Sequence, residues 1–537
     1  MAAPTIPNGE EHFFPIIYEG NGAGQRIGKF VPFTDNATIA NSCIFNSPDS
    51  PVLSRTPSGT GTSKKTFTIS AWVKRGKLIN SASDHSMIIY GVNHGSSSRY
   101  STFALYNGGS GNPTQFRVFL GKYTTGSSTT GYDWYTNRTL EDNSKWYHLM
   151  VAVDTTDSTA SDRVKMYIDG ERITSFASSS NPSLNDEFYF GSEHNNYVST
   201  YDGSFGEFDG YIAEFNFVDG SALTPSTFGL TDTSTGRWIP KTLSGITYGT
   251  NGFRLKFQDS SALGDDTSGN TNDFTVSNIV AGDQTTDSPT QNHATLSSSR
   301  TRGTITLTEG NLKITSGAVS YANSATTLKF SETNSQGLYF EVKQVGSIQN
   351  GMSVLIMRDS VSVSGLGNNG QFTDCFGLQA RGGGGGNTYW TSDNGSNGYD
   401  TSVSHAVNDY IQVAFKEGKV WFGINNTWIG SGNPATGANP TFNNIAGQDF
   451  RFLISAYQNN DLECNFGQKS FNYTPPTSFV AVQQDNLPST AKGISDFLII
   501  KNRDAADSWI WQDSLRGAGE YGSSSTATQY NTAIVDG

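Results

Sequence analysis

The chain has 537 residues, which is too long for one hydrophobic core and predicts two or three domains. Its 59 glycines, 23 tyrosines and 33 phenylalanines, with only 15% charged residues, favour strands and turns over helices. The net charge of −13 excludes the basic surface on which nucleic-acid binding depends.

The first half of the chain contains strands that alternate apolar and polar residues. In Thr66–Val73 (TFTISAWV) the apolar side chains share one face, which predicts a half-buried strand. The same period recurs in Trp146–Asp154 and in Arg163–Phe176, where Asp169-Gly170 predicts a tight hairpin turn. Phe208–Gly220 adds a further strand. Together these segments predict an antiparallel sandwich.

Four motifs, SAWVK, WYHLMVAVD, VKMYIDG and GYIAEFNF, stand in the order typical of laminin-G-like, concanavalin-like sandwiches. The chain resembles that family over roughly residues 60 to 230. The resemblance implies two facing antiparallel sheets, with ligand sites on a concave face or on rim loops. Phe253–Val276 resembles a hairpin of such domains, so we assign residues 60–281 to this sandwich and the polar residues 282–300 to a linker.

In the second half, Gly337–Val345, Asp409–Pro440 and Phe450–Phe479 resemble a SPRY-like sandwich, with a turn at Asn425-Asn426. This resemblance covers about residues 301–482. Residues 483–537 are too few to bury a core of their own and resemble the start of a further module, which leaves open whether the natural chain continues beyond residue 537. The predicted fold class is all-β: tandem antiparallel jelly-roll β-sandwiches, concanavalin-like then SPRY-like, with short terminal segments.

Concanavalin-like sandwiches include glycosidases, which place carboxylates on one strand so that they face the same cleft. Glu207 and Asp209 begin such a pattern, but the next acid, Glu214, lies on the opposite face by alternation. No Gly-x-Ser-x-Gly elbow is present, and His148 is expected to serve the structure. We therefore expect no enzymatic activity.

A ligand site is predicted on two loops that combine aromatic residues with Asp and Asn, the residue types that stack on sugars and bind their hydroxyls. The candidate residues are Tyr132, Asp133, Trp134, Tyr135 and Asn137 in the first loop and Tyr197, Tyr201 and Asp202 in the second. Trp134 is the preferred stacking residue, and both loops should stand at one edge of the sheets. The alternative is that these are ordinary turn residues and core aromatics.

No cofactor is expected to be required, but a calcium site is predicted in the DDTSGNTND loop. Its side-chain oxygens would come from Asp265, Asp266, Asn270, Asn272 and Asp273. An Asx-rich turn without metal is the alternative.

The opening segment Pro4–Phe33, within a lead-in region of residues 1–59, and the C-terminal segment resemble parts of marine tailed-phage virion proteins. Pro4–Phe33 would be an attachment segment or an extended lead-in strand. The resemblance implies a tail fibre or capsid-attached fibre on the virion surface that attaches to the host or its glycans. Its partners would be other virion proteins and a host surface glycan.

Such a protein would be assembled in the host cytoplasm, since the chain shows neither an export signal nor an apolar run of the roughly 18 residues needed for membrane insertion. Fibres are commonly trimers, so a homo-oligomer is expected. Two alternatives stay open: a capsid decoration or cement protein that binds only virion subunits, and a secreted bacterial carbohydrate-binding protein.

Overall fold

The computed structural model describes residues 37–77, 86–95, 99–107, 114–123, 130–232, 236–317, 321–345, 353–363, 375–382, 387–393, 396–400, 405–443, 445–446, 449–487, 497–500, 510–513, 521–523 and 526–530. Residues 32–487 form one unit, and residues 1–31 with 488–537 form another. The predicted attachment segment Pro4–Phe33 lies outside the described residues.

The first sandwich is built from two large antiparallel sheets. Its strands are β1 (Ser42–Phe45), β2 (Val52–Arg55), β3 (Thr66–Arg75), β4 (Ser86–Asn93), β5 (Tyr100–Tyr106), β6 (Gln115–Gly121), β7 (Gly131–Thr139), β8 (Tyr147–Asp154), β9 (Val164–Ile168), β10 (Glu171–Arg172), β11 (Phe176–Ser178), β12 (Asn195–Val198), β13 (Gly210–Asp219), β14 (Gly229–Thr231), β15 (Trp238–Pro240), β16 (Phe253–Leu255), β17 (Thr275–Ser277) and β18 (Gln284–Thr285). One sheet, which we call the inner sheet, has the order β10-β9-β8-β3-β13-β1-β18, and β16 also pairs with β13. The outer sheet has the order β11-β7-β6-β5-β4-β12-β2-β17, and β14 pairs with β15 separately.

The second sandwich repeats this plan. Its strands are β19 (Leu296–Arg302), β20 (Ile305–Thr308), β21 (Lys313–Ser316), β22 (Tyr321–Thr326), β23 (Phe330–Ser331), β24 (Gly337–Gln344), β25 (Ser353–Arg358), β26 (Cys375–Gly382), β27 (Asn387–Asp393), β28 (Ser396–Asp400), β29 (Tyr410–Lys416), β30 (Lys419–Ile424), β31 (Thr427–Trp428), β32 (Asp449–Tyr457), β33 (Asp461–Asn465) and β34 (Phe479–Ala481). One sheet has the order β19-β22-β32-β25-β26-β27-β28 and the other β20-β21-β33-β24-β29-β30-β31. Strand β23 pairs with β32, and β34 runs parallel to β24.

The other unit contains a four-stranded antiparallel sheet. It consists of β35 (Phe497–Ile500), β36 (Ile510–Asp513), β37 (Tyr521–Ser523) and β38 (Thr526–Tyr530), in chain order. The helical elements of the described residues are 3-10 turns, among them Ser47–Asp49, Ala160–Asp162, Pro225–Thr227, Ala281–Asp283, Ile429–Ser431 and Gln484–Asn486. The prediction of an all-β fold with tandem antiparallel sandwiches is confirmed.

The two hairpin turns predicted from their residue types are present in the structure. Asp169 and Gly170 both adopt positive φ between β9 and β10, and Asn425 and Asn426 do the same between β30 and β31. The strand, loop and strand of Phe253–Val276 pack back onto the first sandwich, where β16 joins the inner sheet and β17 the outer sheet. Strands β1 and β2 also belong to this sandwich, so it begins before residue 60.

Strand β3 differs from the prediction because both of its faces are buried. Phe67 and Ile69 enter the core between the two sheets, as alternation requires. Trp72, on the opposite face, is 4% exposed and belongs to a cluster that includes Leu296 and Leu312 of the second sandwich. The inner sheet is therefore covered by the second sandwich, which the sequence of β3 could not reveal.

The segment predicted as a linker, residues 282–300, is not an exposed tether. Gln284–Thr285 forms β18 on the inner sheet, and Leu296 already begins the second sandwich. Between them Asp287, His293 and Ala294 are almost fully buried. Polar composition suggested a solvated loop, but these polar groups are hydrogen-bonded to both sandwiches.

A buried ion pair lies at the centre of this junction. The Lys74 ammonium on β3 donates to Asp287 Oδ2 at 2.8 Å, to Asn292 Oδ1 at 2.9 Å and to the His293 carbonyl at 2.8 Å. The Trp146 indole donates to Asp287 Oδ1 at 2.9 Å. Burial lowers the pKa of Lys74, and the charge of Asp287 opposes that shift. Because all three ammonium protons have acceptors, the charge is tolerated in a dry site.

Replacing Asp287 with Asn should therefore destabilise residues 32–487 strongly. The amide keeps the shape of the carboxylate, but the Lys74 charge loses its buried counter-charge, which typically costs about 3–5 kcal/mol. Urea unfolding followed by tryptophan fluorescence measures this loss. Asp461→Asn removes a half-exposed partner of Lys313 and should cost under about 1 kcal/mol. Equal losses in the two variants would contradict the role given to Asp287.

Candidate functional site

The outer sheet of the first sandwich turns one face away from the core, and its register determines which residues share that face. Cross-strand partners run in one row from Tyr197 on β12 through Gly91, Thr102 and Phe119 to Asp133 on β7. Residues directly opposite one another in a sheet project on the same side. The row therefore spans five adjacent strands.

Aromatic rings cover one half of this face. The ring centroids of Tyr100 and Phe119 lie 5.0 Å apart, and those of Tyr100 and Tyr201 lie 4.6 Å apart. Tyr201 in turn contacts Phe205 at 5.6 Å, and the Phe205 side chain is 52% exposed. These four rings form a continuous, part-exposed apolar surface.

Gly91 allows the loop that carries Tyr201 to lie directly on the sheet. A Cβ atom at Gly91 would stand 2.5 Å from the Cα of Tyr201 and 2.9 Å from the Thr200 carbonyl oxygen. Any other residue would push this loop away. A glycine inside a strand commonly marks such a close backbone approach.

The other half of the face carries an ion pair and two tyrosines. Arg117 donates to Asp133 through Nε at 2.7 Å and through Nη2 at 2.6 Å. Its guanidinium also lies 4.5 Å from the ring centroid of Tyr106, which contacts Tyr135 at 5.6 Å. Burial by itself would lower the pKa of Arg117. The hydrogen bonds and the charge of Asp133 outweigh this effect, so the pKa of Arg117 is raised.

We call this surface the aromatic face. It consists of Tyr100, Tyr106, Arg117, Phe119, Asp133, Tyr135, Tyr197, Tyr201 and Phe205. It combines ring faces with charged and hydroxyl groups on a rigid set of strands, which suits recognition of a ligand with both apolar patches and hydroxyl groups.

The preference for Trp134 as a stacking residue was wrong. Trp134 is 5% exposed and packs edge to face on Phe176 at 5.0 Å inside the core. The segment predicted as a loop is strand β7, and alternation sends Trp134 inward while Asp133 and Tyr135 point outward.

The other predicted site residues are distributed between the face and its surroundings. Tyr132 packs on the core and its hydroxyl donates to Asp186 Oδ2 at 2.6 Å, so this side chain serves the structure of the domain. Asn137 donates to Ser175 Oγ at 2.8 Å at an exposed position. Asp202 accepts from the backbone N–H groups of Ser204 and Phe205, both at 2.9 Å, and shapes the Tyr201 loop.

Sequence reasoning missed Tyr100, Tyr106, Arg117 and Phe119. A signal was available in QFRVFLG, where Phe116, Val118 and Leu120 alternate with Arg117 and Phe119. Alternation separates the two faces but does not say which one is covered. Phe116 and Phe119 are the same residue type on opposite faces, so their roles depend on the packing of the sheets.

In the predicted calcium loop, polar side-chain atoms form hydrogen bonds with other groups of the protein. Asp266 accepts from the backbone N–H groups of Arg254, Ser268 and Asn272. Asn270 and Asn272 both donate to the Gly252 carbonyl. Asp273 accepts from the Asp266 N–H at 2.8 Å, and Asp265 is exposed. Within the described ranges no three His, Cys, Asp or Glu side chains gather as a metal-binding group.

The carboxylates weighed as glycosidase groups serve other contacts. Asp209 is 3% exposed and accepts from the Ser47 N–H at 3.2 Å. Glu214 lies at a β-bulge with positive φ and forms an ion pair with Arg254 at 2.5 Å. An acid and a nucleophile facing one cleft require a different arrangement.

A buried serine–histidine pair is present, but its protons are arranged unlike those of a catalytic base. The Trp238 indole, a donor only, donates to His148 Nδ1 at 3.1 Å. The neutral ring therefore carries its proton on Nε2, which lies 2.8 Å from Ser70 Oγ and donates to it. A general base would need a free Nε2 lone pair toward the serine. Ser70 and His148 are both 0% exposed.

Comparison with known proteins agrees with the architecture of the first sandwich. Residues 51–227 match a laminin G family model described as the concanavalin A-like lectin/glucanases superfamily. The first sandwich is a laminin-G-like domain. This confirms the laminin-G-like part of the sequence prediction. No match to a curated protein was found.

Solved structures give weaker likenesses. The chain is similar to the SPRY domain of human HERC1, with 14% identity and a TM-score of 0.26 over 33% of this chain and 99% of that one. It is also similar to domains LG4-5 of the mouse laminin alpha1 chain, with 11% identity and a TM-score of 0.25 over 95% of this chain and 97% of that one. At these scores neither likeness carries an argument about function.

Burial of His148 generates a prediction about pH. Burial lowers the pKa of His148 to about 3, whereas an unfolded histidine titrates near 6.5. Below about pH 6.5, His148 binds a proton in the unfolded chain but stays neutral in the folded chain. The free energy of unfolding should therefore fall as pH decreases from about 6.5 toward 3, by up to about 1.4 kcal/mol per pH unit for this group.

His148→Gln should flatten that dependence, because an amide can replace the donor and the acceptor without titrating. Urea unfolding at pH 7 and pH 5 measures the difference in both proteins. Buried His293 and His405, whose pKa values are also lowered to about 4, contribute equally to both. Identical pH dependence in variant and wild type would contradict the assignment to His148.

Proposed function

We propose that this chain is a non-catalytic attachment protein whose laminin-G-like sandwich binds a glycan on the aromatic face. The observation that carries the proposal is the set of part-exposed rings that runs from Tyr135 to Phe205 across five adjacent strands. Sugar rings have apolar C–H patches that stack on aromatic faces and hydroxyl edges that need polar partners. Both kinds of partner are present here.

The rigidity of the surface also supports binding. Tyr100 and Phe119 extend from strands β5 and β6, and each ring is already packed against a neighbour. Side chains that are held before the ligand arrives lose little conformational entropy on binding. The Asp133 carboxylate, the Tyr197 hydroxyl and the Tyr201 hydroxyl supply hydrogen-bonding groups beside the rings.

The resemblance of the terminal segments to tailed-phage virion proteins supports a place on the virion surface, as a tail fibre or a capsid-attached fibre. The partners would then be other virion proteins and a glycan of the host envelope. A homo-oligomeric fibre would present several weak sites together, and avidity would strengthen attachment. A capsid decoration protein would instead bury the aromatic face against another virion subunit.

Removing rings from either end of the face should weaken glycan binding. Tyr201→Ala and Tyr135→Ala each lose one stacking surface worth about 1 kcal/mol, which corresponds to a several-fold rise in Kd. The measurement is binding of the full chain to an array of bacterial envelope glycans, followed by calorimetric titration with the strongest ligand.

The matched control is Tyr473→Ala, which removes a half-buried ring of the second sandwich that contacts Tyr410 at 5.9 Å. It should leave Kd unchanged. Equal loss in all three variants would contradict binding on the aromatic face, and no glycan binding by the wild type would favour the decoration protein. Repeating the titration with Ca²⁺ and with a chelator tests whether the loop from Asp265 to Asp273 binds calcium and whether that binding affects the glycan site.

A further inference from the structure

The charges of the aromatic face are already neutralised within the protein. Arg117 is the cationic side chain that the described strands place on this face, and Asp133 binds it through two hydrogen bonds of 2.7 Å and 2.6 Å. A bidentate pair of this kind uses the geometry that arginine would otherwise offer to a ligand carboxylate or sulfate. The guanidinium carbon of Arg117 also lies 4.5 Å from the centroid of the Tyr106 ring.

Two cations near the edges of the sheet are paired as well. Lys122 binds Asp186 at 2.9 Å, and Arg138 binds Glu171 at 3.0 Å and Asp169 at 3.6 Å. Together with the net charge of −13, these ion pairs weaken the attraction of the described part of the face for a polyanion. An acidic sugar on the face would have to displace Asp133, whose own charge would then lose its partner.

The dimensions of the face complement its charge. The face spans five adjacent strands, from Asp133 on β7 to Tyr197 on β12, so four strand spacings of about 4.8 Å make it about 19 Å across. Rings lie at both ends, at Tyr135 and Tyr201, and between them at Tyr100 and Phe119. A single sugar would leave most of these rings uncovered.

We infer that the ligand of the aromatic face is an uncharged polysaccharide strand several sugar rings long, and that uronate, sialate and sulfate polymers are rejected. This inference rests on the proposed glycan-binding function. Stacking and hydroxyl hydrogen bonds bind the neutral strand, and the Arg117–Asp133 pair acts as a specificity determinant by withholding the guanidinium from anions.

The test compares neutral and acidic soluble polysaccharides as ligands of the full chain. The neutral probes are dextran, mannan and galactan, and the acidic probes are alginate, polygalacturonate and heparin. We expect binding within the neutral set that Tyr201→Ala weakens several-fold, and no binding within the acidic set. For the neutral ligand, Kd should change less than twofold between 50 mM and 500 mM NaCl, because screening acts only on charge.

Asp133→Asn provides a gain-of-function arm. It frees the Arg117 guanidinium on β6, so binding of alginate or polygalacturonate should appear and should weaken several-fold at 500 mM NaCl. Asp162→Asn is the matched control, because it frees Arg172 from an ion pair of 2.8 Å on the inner sheet, away from the face. It should gain no such binding.

Each other outcome is decisive. Preferential binding of acidic polymers by the wild type, or steep salt dependence of its binding, would overturn the inference and leave glycan binding intact. Binding of no polysaccharide from either set would overturn both proposals. If Asp133→Asn fails to fold, the salt dependence of the wild type still decides between neutral and charged ligands.

Discussion

The arrangement of residues 32–487 depends on one buried ion pair, between Lys74 and Asp287. The two residues are 213 positions apart, and both side chains are nearly inaccessible to water. A charge in such a site is tolerated only when its partners are fixed, and here Asn292, Trp146 and the His293 carbonyl complete the shell. The pair therefore anchors the segment between the sandwiches to the central strand of the inner sheet.

That anchoring decides which surface is available for binding. The inner sheet places Trp72, Trp146 and Tyr211 in one buried cluster with residues of the second sandwich. The opposite sheet keeps a part-exposed face on which Tyr100, Phe119 and Tyr201 meet. The proposed binding surface and the packing at the junction thus lie on two different sheets, so each can be altered by mutation without direct contact with the other.

Buried histidine chemistry illustrates why proximity alone does not establish a catalytic site. Ser70 and His148 lie at hydrogen-bonding distance, as a nucleophile and its base would. The Trp238 indole donates to the other ring nitrogen, which places the proton on the nitrogen nearest the serine. Ser70, His148 and Trp238 therefore link strands β3, β8 and β15. Burial lowers the pKa of His148.

The sequence by itself determined several of the strands, two hairpin turns and the two-sandwich class, because alternation and turn residues such as Asp169-Gly170 act over a few positions. The tertiary structure alone decided which face each strand exposes. Trp134 and Tyr135 are neighbours of similar character, yet one fills the core and the other joins the aromatic face. The polar segment around Asp287 is buried for the same reason. Its burial depends on partners distant in sequence, such as Lys74, which no local pattern identifies.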